Sequence, residues 1–323
     1  MKQERAARWF LLGLLLGLPL AVLGARRAQM AGWQEIHAQV AETGGWLPAN
    51  LTARVGEPLR LALVSDDVVH GFAVGQSDQP ALELPPGKMI ETTLTFARAC
   101  AYTFYCTRWC GPNHWRMRGT IEVTGADPAP APETAPLYVT LGIDLDAPHP
   151  AHVTPTQETS ATNGREFLRR VPESYRTLAY YRAHSPVEAW EDLRAEPELN
   201  LLSDDGLWDV VAALWQAQTT PEQLAVSKQL YAQNCAACHG EQGAGDGLYA
   251  SPDASTSMGS MSLQTANFTD ATQMLGASPA LLQGKIIRGG MGTGMPYWGS
   301  IFTEAQTWAL VSYLYSFQFK EQP

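Results

Sequence analysis

Residues 105–121 read YCTRWCGPNHWRMRGTI, and this short stretch holds four side chains of metal-binding type. They are Cys106, Cys110, His114 and Met117. A further histidine, His70, stands upstream in DDVVHGF. Thiolate, imidazole and thioether are the soft and borderline ligands that copper selects, and one thiolate with two histidines and a methionine makes a mononuclear electron-transfer site. A second thiolate, in a loop and not in a zinc-type CxxC pair, predicts two copper ions bridged by both sulfurs.

The sequence on either side of these ligands reads as short strands broken by turns. Thr93–Phe96 and Tyr102–Tyr105 alternate with the period of a half-buried sheet, and Pro85-Pro86-Gly87 supplies a turn. Strands are predicted at residues 51–55, 59–65, 72–74, 89–96, 101–106 and 118–123. The pattern predicts an all-β Greek-key sandwich. Cys100, the cysteine without a metal-binding motif, is expected to be a small buried residue of a strand.

A second motif, Cys235-Ala-Ala-Cys238-His239, is the CxxCH attachment sequence of a c-type haem. The two thiols bond the porphyrin vinyl groups, and the histidine is the proximal iron ligand. A glycine-rich stretch, GEQGAGDG, follows the motif. The segment resembles a class I cytochrome c, which implies an all-α domain over residues 219–323 and a distal methionine. Met295 in GMGTGMPYWG is the predicted distal ligand, and Met291 is its rival.

The copper motif resembles the dinuclear CuA centre of subunit II of haem–copper oxidases, of some nitric-oxide reductases and of nitrous-oxide reductase. The shared features are C-x3-C-G-x2-H-x2-M and the upstream DVxHGF, and the likeness extends over nearly all of residues 36–123 of a domain predicted at 30–125. It implies a cupredoxin domain with five side-chain ligands: His70, Cys106, Cys110, His114 and Met117. It also implies a backbone carbonyl ligand at Arg108. Family members commonly carry Glu or Gln there, and in many oxidases the Glu also ligates a nearby magnesium ion. An arginine cannot bind that cation, so this chain is predicted to lack the magnesium site.

The N-terminal 29 residues have the pattern of a membrane anchor. Residues 9–25 form an uncharged apolar run, and Lys2, Arg5 and Arg8 precede it. The run reaches the lower limit for crossing a bilayer, and the basic flank predicts a cytoplasmic N-terminus with the remainder on the periplasmic side of the cell membrane. A cleaved signal peptide is the alternative. Both place the metal domains outside the cytoplasm.

Between the two metal motifs lie a predicted linker, 126–150, and a helical module, 151–218. The linker begins with the Pro/Ala-rich ADPAPAPETAP, which is typical of extended, semi-rigid connections. LSDDGLWDVVAALWQAQ at 202–218 aligns with FTEAQTWALVSYLYSFQ at 302–318, and both segments have a hydroxyl residue at the expected N-cap, Ser203 and Thr303. The module is therefore either a degenerate cytochrome-like domain without haem or a coincidental likeness of two amphipathic helices.

The net charge of −10 comes mainly from residues 126–218, which carry 6 basic and 15 acidic side chains. Such a balance is compatible with steering of a basic electron donor or with a merely solvated face, and nothing indicates nucleic acid.

The two resemblances together imply a non-catalytic electron-transfer subunit. It would relay electrons from a soluble cytochrome c or cupredoxin, through haem c and CuA, to the membrane catalytic subunit of a respiratory complex. The pattern is most similar to cytochrome c oxidase subunit II with a fused cytochrome c. One alternative is the electron-entry subunit of a CuA-containing nitric-oxide reductase. The other is a free periplasmic electron carrier whose signal peptide has been removed.

Overall fold

The computed structural model describes residues 15, 17–21, 31–77, 79–111, 113–126, 134–250, 265–290 and 295–319. These residues form two compact units, one mainly of strands and one mainly of helices. Within the described ranges, none of the helices has the length and apolar character that a bilayer crossing needs. The predicted anchor at residues 1–29 lies largely outside the described residues.

The described part of residues 31–126 forms nine strands in two sheets. Their bounds are Trp33–Ala38 (β1), Trp46–Leu47 (β2), Asn50–Arg54 (β3), Leu59–Ser65 (β4), His70–Val74 (β5), Leu82–Leu84 (β6), Met89–Leu94 (β7), Ala101–Tyr105 (β8) and Arg118–Thr124 (β9). One sheet has the order β2-β1-β4-β7 and the other the order β3-β9-β8-β5-β6. The predicted β-sandwich of cupredoxin type is therefore confirmed.

The sandwich core is built from the inward faces of both sheets. Leu61 and Leu63 of β4 are fully buried. Trp46 of β2 meets the rings of Phe72 and Phe104, which belong to the other sheet, edge-on at 5.7 and 5.5 Å. Aromatic pairs of this geometry contribute roughly 0.5–1.5 kcal/mol beyond the burial of their area. This cluster therefore ties the two sheets together.

Six of the nine strands follow the predicted positions to within two residues at each end, and β4 matches at both ends. Strands β1, β2 and β6 were not predicted. Strand β1 carries Glu35 and His37 among its residues, and it is held by parallel pairing with β4, a long-range contact that local sequence does not reveal. The expectation for Cys100 is wrong, because this residue lies exposed in a bend just before β8.

The second unit is helical. Its described α-helices are Leu137–Thr140 (α1), Ala161–Arg165 (α2), Leu178–Ala183 (α3), Pro186–Ala195 (α4), Asp204–Gln216 (α5), Pro221–Asn234 (α6), Ala236–His239 (α7), Ala271–Leu275 (α8), Pro279–Arg288 (α9) and Glu304–Tyr315 (α10). A short 3-10 helix spans Glu173–Arg176. The two predicted N-caps are confirmed, since the hydroxyl of Ser203 accepts from the amide of Gly206 and that of Thr303 from the amide of Gln306.

The predicted linker, 126–150, includes helix α1 and a buried residue, Leu145. Tyr138 and Leu145 lie so close to Gly284 of α9 that a Cβ there would approach them to 2.8 and 2.7 Å. Asp146 also accepts two hydrogen bonds from Arg288, at 2.6 and 2.7 Å. The later part of this segment is therefore packed against the helices that follow it.

Candidate metal and haem centres

Three of the five predicted copper ligands lie at the ends of strands in the sandwich, and Cys110 and His114 lie in the loop between β8 and β9. His70 is the first residue of β5, Cys106 directly follows β8, and Met117 directly precedes β9. The amide of Cys106 donates to the carbonyl of Met117 at 3.0 Å, so the loop between β8 and β9 is closed at its base. The indole of Trp46 donates to the same carbonyl at 3.1 Å. The sandwich core thus fixes the loop on which four of the five side chains stand.

The five side chains come together. The sulfur of Cys106 lies 3.8 Å from Nδ1 of His70 and 3.9 Å from the sulfur of Cys110. The sulfur of Cys110 lies 3.5 Å from Nδ1 of His114 and 3.1 Å from Sδ of Met117. All of these side chains except Cys110 are buried, and Cys110 is half-buried. The sequence therefore predicted which residues meet, including one histidine from 36 positions upstream of Cys106.

The separation of the two cysteine sulfurs fits metal binding. It is 3.9 Å, far beyond the ~2.05 Å of a disulfide. A metal ion that forms thiolate bonds of about 2.3 Å would reach both sulfurs at this separation. His70 flanks one sulfur, while His114 and Met117 flank the other. A thioether is a ligand for copper and not one that zinc ordinarily uses, so the donor chemistry favours copper.

Asp67 orients the upstream histidine. Its Oδ1 lies 2.7 Å from Nε2 of His70, and the backbone amides of Val40 and Val68 donate to its two oxygens at 2.7 and 2.6 Å. A proton on Nε2 leaves Nδ1 free to face the sulfur of Cys106. Carboxylates commonly fix metal-binding histidines in this way. The signal for Asp67 was present in DDVVHGF, but only the structure shows which of the two aspartates reaches the ring.

The electrostatics of the cluster follow from these contacts. Burial acts to raise the pKa of Asp67, but the bonds from Val40, His70 and Val68 outweigh it and the pKa is lowered. Burial likewise acts to lower the pKa of His70, and the bonds to Cys106 and Asp67 reverse this, so the pKa is raised.

The two thiols titrate as a pair. A hydrogen bond from Cys110 lowers the pKa of Cys106 to about 3, against the opposing effect of burial. The negative sulfur of Cys106, together with burial, raises the pKa of Cys110 well above its usual range. One thiolate thus forms readily and holds the proton on the other. A bound cation is the group that stabilises both as thiolates at once.

The haem attachment motif lies at the junction of α6 and α7. Cys235 directly follows α6, and His239 is the last residue of α7. The hydroxyl of Tyr231 donates to the carbonyl of Gly240 at 2.8 Å, which ties α6 to the end of the motif. A Cβ on Gly247 would meet the carbonyl of Ala237 at 2.5 Å, so the chain returns over the motif only with glycine there.

His239 has the environment of an iron ligand. Its Nδ1 lies 3.1 Å from the carbonyl of Ala266, and its ring stacks on Phe268 at 4.6 Å. Donation from Nδ1 leaves Nε2 with an available lone pair, the arrangement that metal-bound histidines usually show. Burial lowers the pKa of His239, which favours the neutral, ligating form. The residues present therefore fit a haem held at this histidine.

The two predicted distal ligands differ in what the structure describes. Met295 is half-buried, and its carbonyl accepts from the amide of Gly290 at 3.1 Å. Met291 lies outside the described residues. The role of Met295 stays a prediction. The side chain of Arg108 is exposed, and the assignment of its carbonyl to copper also stays a prediction.

Comparison with known proteins identifies both regions. Residues 225–318 match the family model described as Cytochrome c. A segment of 79 residues is 33% identical to cytochrome c oxidase subunit 2 of Thermus thermophilus and covers 24% of this chain and 58% of that protein. For a second Thermus thermophilus protein of the same name, the same identity covers 46% of its length. The chain spans about half the length of the curated relatives it matches.

Solved structures with some likeness include the periplasmic domain of subunit II of cytochrome oxidase of Bradyrhizobium japonicum. It is 25% identical, with 23% of this chain and 54% of that chain covered and a TM-score of 0.22. A chain of a heme-copper terminal oxidase dimer is 19% identical, with 38% and 100% covered and a TM-score of 0.24.

The chain thus combines a cupredoxin-like region similar to that of cytochrome c oxidase subunit II with a C-terminal cytochrome c domain. The cytochrome c domain implies haem c, and the cluster of His, Cys and Met side chains indicates a copper site.

Proposed function

We propose that this chain is the electron-transfer subunit of a haem–copper terminal oxidase, located on the extracytoplasmic side of the cell membrane. It relays electrons from a soluble cytochrome c or cupredoxin, through haem c and a dinuclear copper centre, to a membrane catalytic subunit. The observation that carries this proposal is the pair of cysteine sulfurs 3.9 Å apart, flanked by His70 on one side and by His114 and Met117 on the other.

In this proposal the copper centre is held by five side chains and one carbonyl: His70, Cys106, Cys110, His114, Met117 and Arg108. Copper bound there supplies one-electron transfer. The chain's part is to keep the donors in place between the two oxidation states. Asp67 fixes the ring of His70, and the closed base of the β8–β9 loop fixes Cys106 against Met117. Burial of the histidines and the methionine excludes water from the site.

Haem c is proposed to be bonded to Cys235 and Cys238, with His239 as proximal and Met295 as distal ligand. With two protein ligands the iron has no open position for a substrate, so the haem is an electron carrier. The contact between His239 and the carbonyl of Ala266 holds the ring orientation that this ligation needs. Two carriers with closed ligand sets make a relay, and the reduction of the terminal acceptor takes place on another subunit.

The electron-entry subunit of a CuA-containing nitric-oxide reductase is the second candidate. Arg108 favours it, since an arginine cannot bind the magnesium ion that many oxidases hold next to this position.

Purification of the chain from membranes with its partner subunits tests both candidates. The oxidase proposal expects O2 consumption with reduced cytochrome c and little turnover of NO. Turnover of NO without O2 consumption would establish the second candidate. Recovery of the chain alone, in the soluble fraction and with no membrane partner, would contradict both and identify a free electron carrier.

A further inference from the structure

The helices that precede the haem domain repeat its helices in order. The first set consists of α2, the 3-10 helix and α3 to α5, and the second set, in the haem domain, consists of α6 to α10. Helices α4 and α9 each span ten residues, each begins with proline, and the side chains of Ser185 and Ser278 cap them. These two helices start 93 positions apart, at Pro186 and Pro279, and so do α3 and α8 just before them, at Leu178 and Ala271. The final helices of the two sets, α5 and α10, start 100 positions apart.

The repeat includes the haem attachment motif. The 3-10 helix Glu173–Arg176 and helix α7, Ala236–His239, both span four residues and start 63 positions apart. At that offset Pro172, Tyr175 and Arg176 stand where Cys235, Cys238 and His239 stand in the haem domain. None of the three can form a thioether bond to a porphyrin, and Arg176, at the position of the proximal histidine, cannot ligate iron as an imidazole does.

The packing is also repeated. Helix α2 packs against α5 as α6 packs against α10, and α4 packs against α5 as α9 packs against α10. The crossing of α2 and α5 is close, because a Cβ on Gly164 would overlap the carbonyl oxygen of Asp209. In both sets, therefore, the first helix contacts the last one, and the helix before the last (α4 or α9) also packs against the last.

The two sets differ in the connections that hold haem. A single residue, Thr177, separates the 3-10 helix from α3, whereas residues 240–270 separate α7 from α8. Residues 196–203 join α4 to α5, whereas the longer segment 289–303 joins α9 to α10. The two longer segments contain Ala266, which contacts the proximal histidine, and the predicted distal ligand Met295. The first set therefore lacks both haem-holding segments.

In the first set, side-chain hydrogen bonds link the 3-10 helix and α3 to α4 and the residue that follows it. The hydroxyl of Tyr175 donates to Glu196 at 3.1 Å, and its ring lies 5.0 Å from that of Tyr180. The hydroxyl of Tyr180 donates to Asp192 of α4 at 2.5 Å. The 3-10 helix and α3 are thus bonded directly to α4 and its C-terminal end.

The first set also packs on the haem domain. The ring of Trp215 meets Tyr315 and Phe319 edge-on at 6.1 and 6.5 Å. The guanidinium of Arg182 lies 4.1 Å from the ring centre of Trp308. Trp215 is 4% exposed and Trp308 is 9% exposed, so this face of α10 is covered.

We propose that residues 158–218 are a haem-free copy of the cytochrome c fold that acts as the permanently docked partner of the haem domain. This copy transfers no electrons, because it lacks the attachment cysteines, the proximal histidine and the segments that hold haem. Its role is to cover α10 and to stabilise the haem domain through Trp215, Arg182 and the residues around them. The inference goes beyond the proposed oxidase function and does not depend on which acceptor the complex uses.

Thermal unfolding of the full haem-loaded chain, followed by the Soret absorbance of the haem, tests this role. Trp215→Ala is expected to lower the Soret midpoint by about 5 °C or more, because it leaves a large cavity against Tyr315 and Phe319. Arg182→Gln is expected to lower it less. Leu201→Ala is the matched control within the copy, because Leu201 is 94% exposed, and it should leave the midpoint unchanged.

Gly164→Val is a second, independent test of the same role. It disrupts the crossing inside the copy without touching the haem domain, and it too should lower the Soret midpoint. A normal midpoint in Gly164→Val and Trp215→Ala, while far-ultraviolet circular dichroism shows that the copy has melted, would overturn the supporting role. An experimental structure in which α2, the 3-10 helix and α3 to α5 do not superimpose, in order and direction, on α6 to α10 would contradict the proposal that the first set is a copy of the haem domain. The copper electron paramagnetic resonance signal should be the same in all these variants, so a failure of the copper assignment is seen separately.

Discussion

The β8–β9 loop, which holds four candidate copper ligands, and the two helix sets differ in how closely metal binding is tied to the fold. Four of the five candidate copper ligands stand between Cys106 and Met117, and their spacing alone indicated the kind of site. The two helix sets share their order, caps and packing, yet one carries CxxCH and the other PESYR at the same place. A metal centre is thus specified by a few local residues, whereas the fold around it persists when those residues are gone.

The largest expected effect is on the shared sulfurs of the copper centre. Cys110→Ser removes one bridging thiolate, so the chain should bind at most one copper ion and lose the mixed-valence electron paramagnetic resonance signal. Cys100→Ser is the matched control, because Cys100 is an exposed cysteine of the same domain, and it should retain both. An unchanged mixed-valence spectrum in Cys110→Ser would show that the two sulfurs do not form a bridged pair.

The next effect concerns the haem ligands of the second helix set. Met295→Ala should remove the low-spin, methionine-ligated haem spectrum, whereas Met291→Ala should leave it in place. Haem attachment should survive in both, since the proposed thioether bonds are those of Cys235 and Cys238. Retention of the methionine-ligated spectrum after Met295→Ala would assign the distal position to another residue.

A smaller effect is expected from the residue that orients the upstream copper ligand. Asp67→Asn weakens the hold on His70, and loss of such a partner typically reduces metal affinity by roughly 10–100-fold. Copper titration of the metal-free chain measures this affinity. Asp66→Asn is the matched control, because Asp66 bonds to the exposed His37 and not to a proposed ligand. An equal loss of copper affinity in the two variants would show that Asp67 does not orient His70.

The smallest effect lies far from both metals, at the ion pair between Asp146 and Arg288. The hydrogen bonds from Arg288 lower the pKa of Asp146. A carboxyl whose pKa is lower in the folded state stabilises the fold above its unfolded pKa, and this contribution is lost as the pH falls through the folded pKa. Asp146→Asn should therefore lower the thermal midpoint slightly near neutral pH and not at all in strong acid. High salt should reduce the difference, because the pair is solvent-exposed.

The sequence predicted the parts of this molecule whose signals are local. Period-two alternation located six strands, the hydroxyl caps located the starts of α5 and α10, and motif spacing named the side chains that meet around the copper site. Strand β1 escaped prediction because its position depends on parallel pairing with β4. The prediction that Cys100 is buried was wrong because this residue lies in a bend before β8 and not in the strand itself.

The orienting aspartate and the haem-free copy were harder to predict for the same reason. Two adjacent aspartates precede His70, and only the fold turns Asp67 toward its ring and Asp66 toward His37. The repeat was visible in the final helix of each set, but the two deletions between the other helices shift the offset from 63 to 93 and then to 100. A search at one fixed offset therefore finds only part of the repeat.

The most direct test of the account is metal analysis combined with electron paramagnetic resonance on the chain as isolated from its own membranes. The account predicts two copper ions and one haem iron per chain, with one unpaired electron shared over both copper nuclei. A single zinc ion at Cys106 and Cys110, or a disulfide between them, would contradict it.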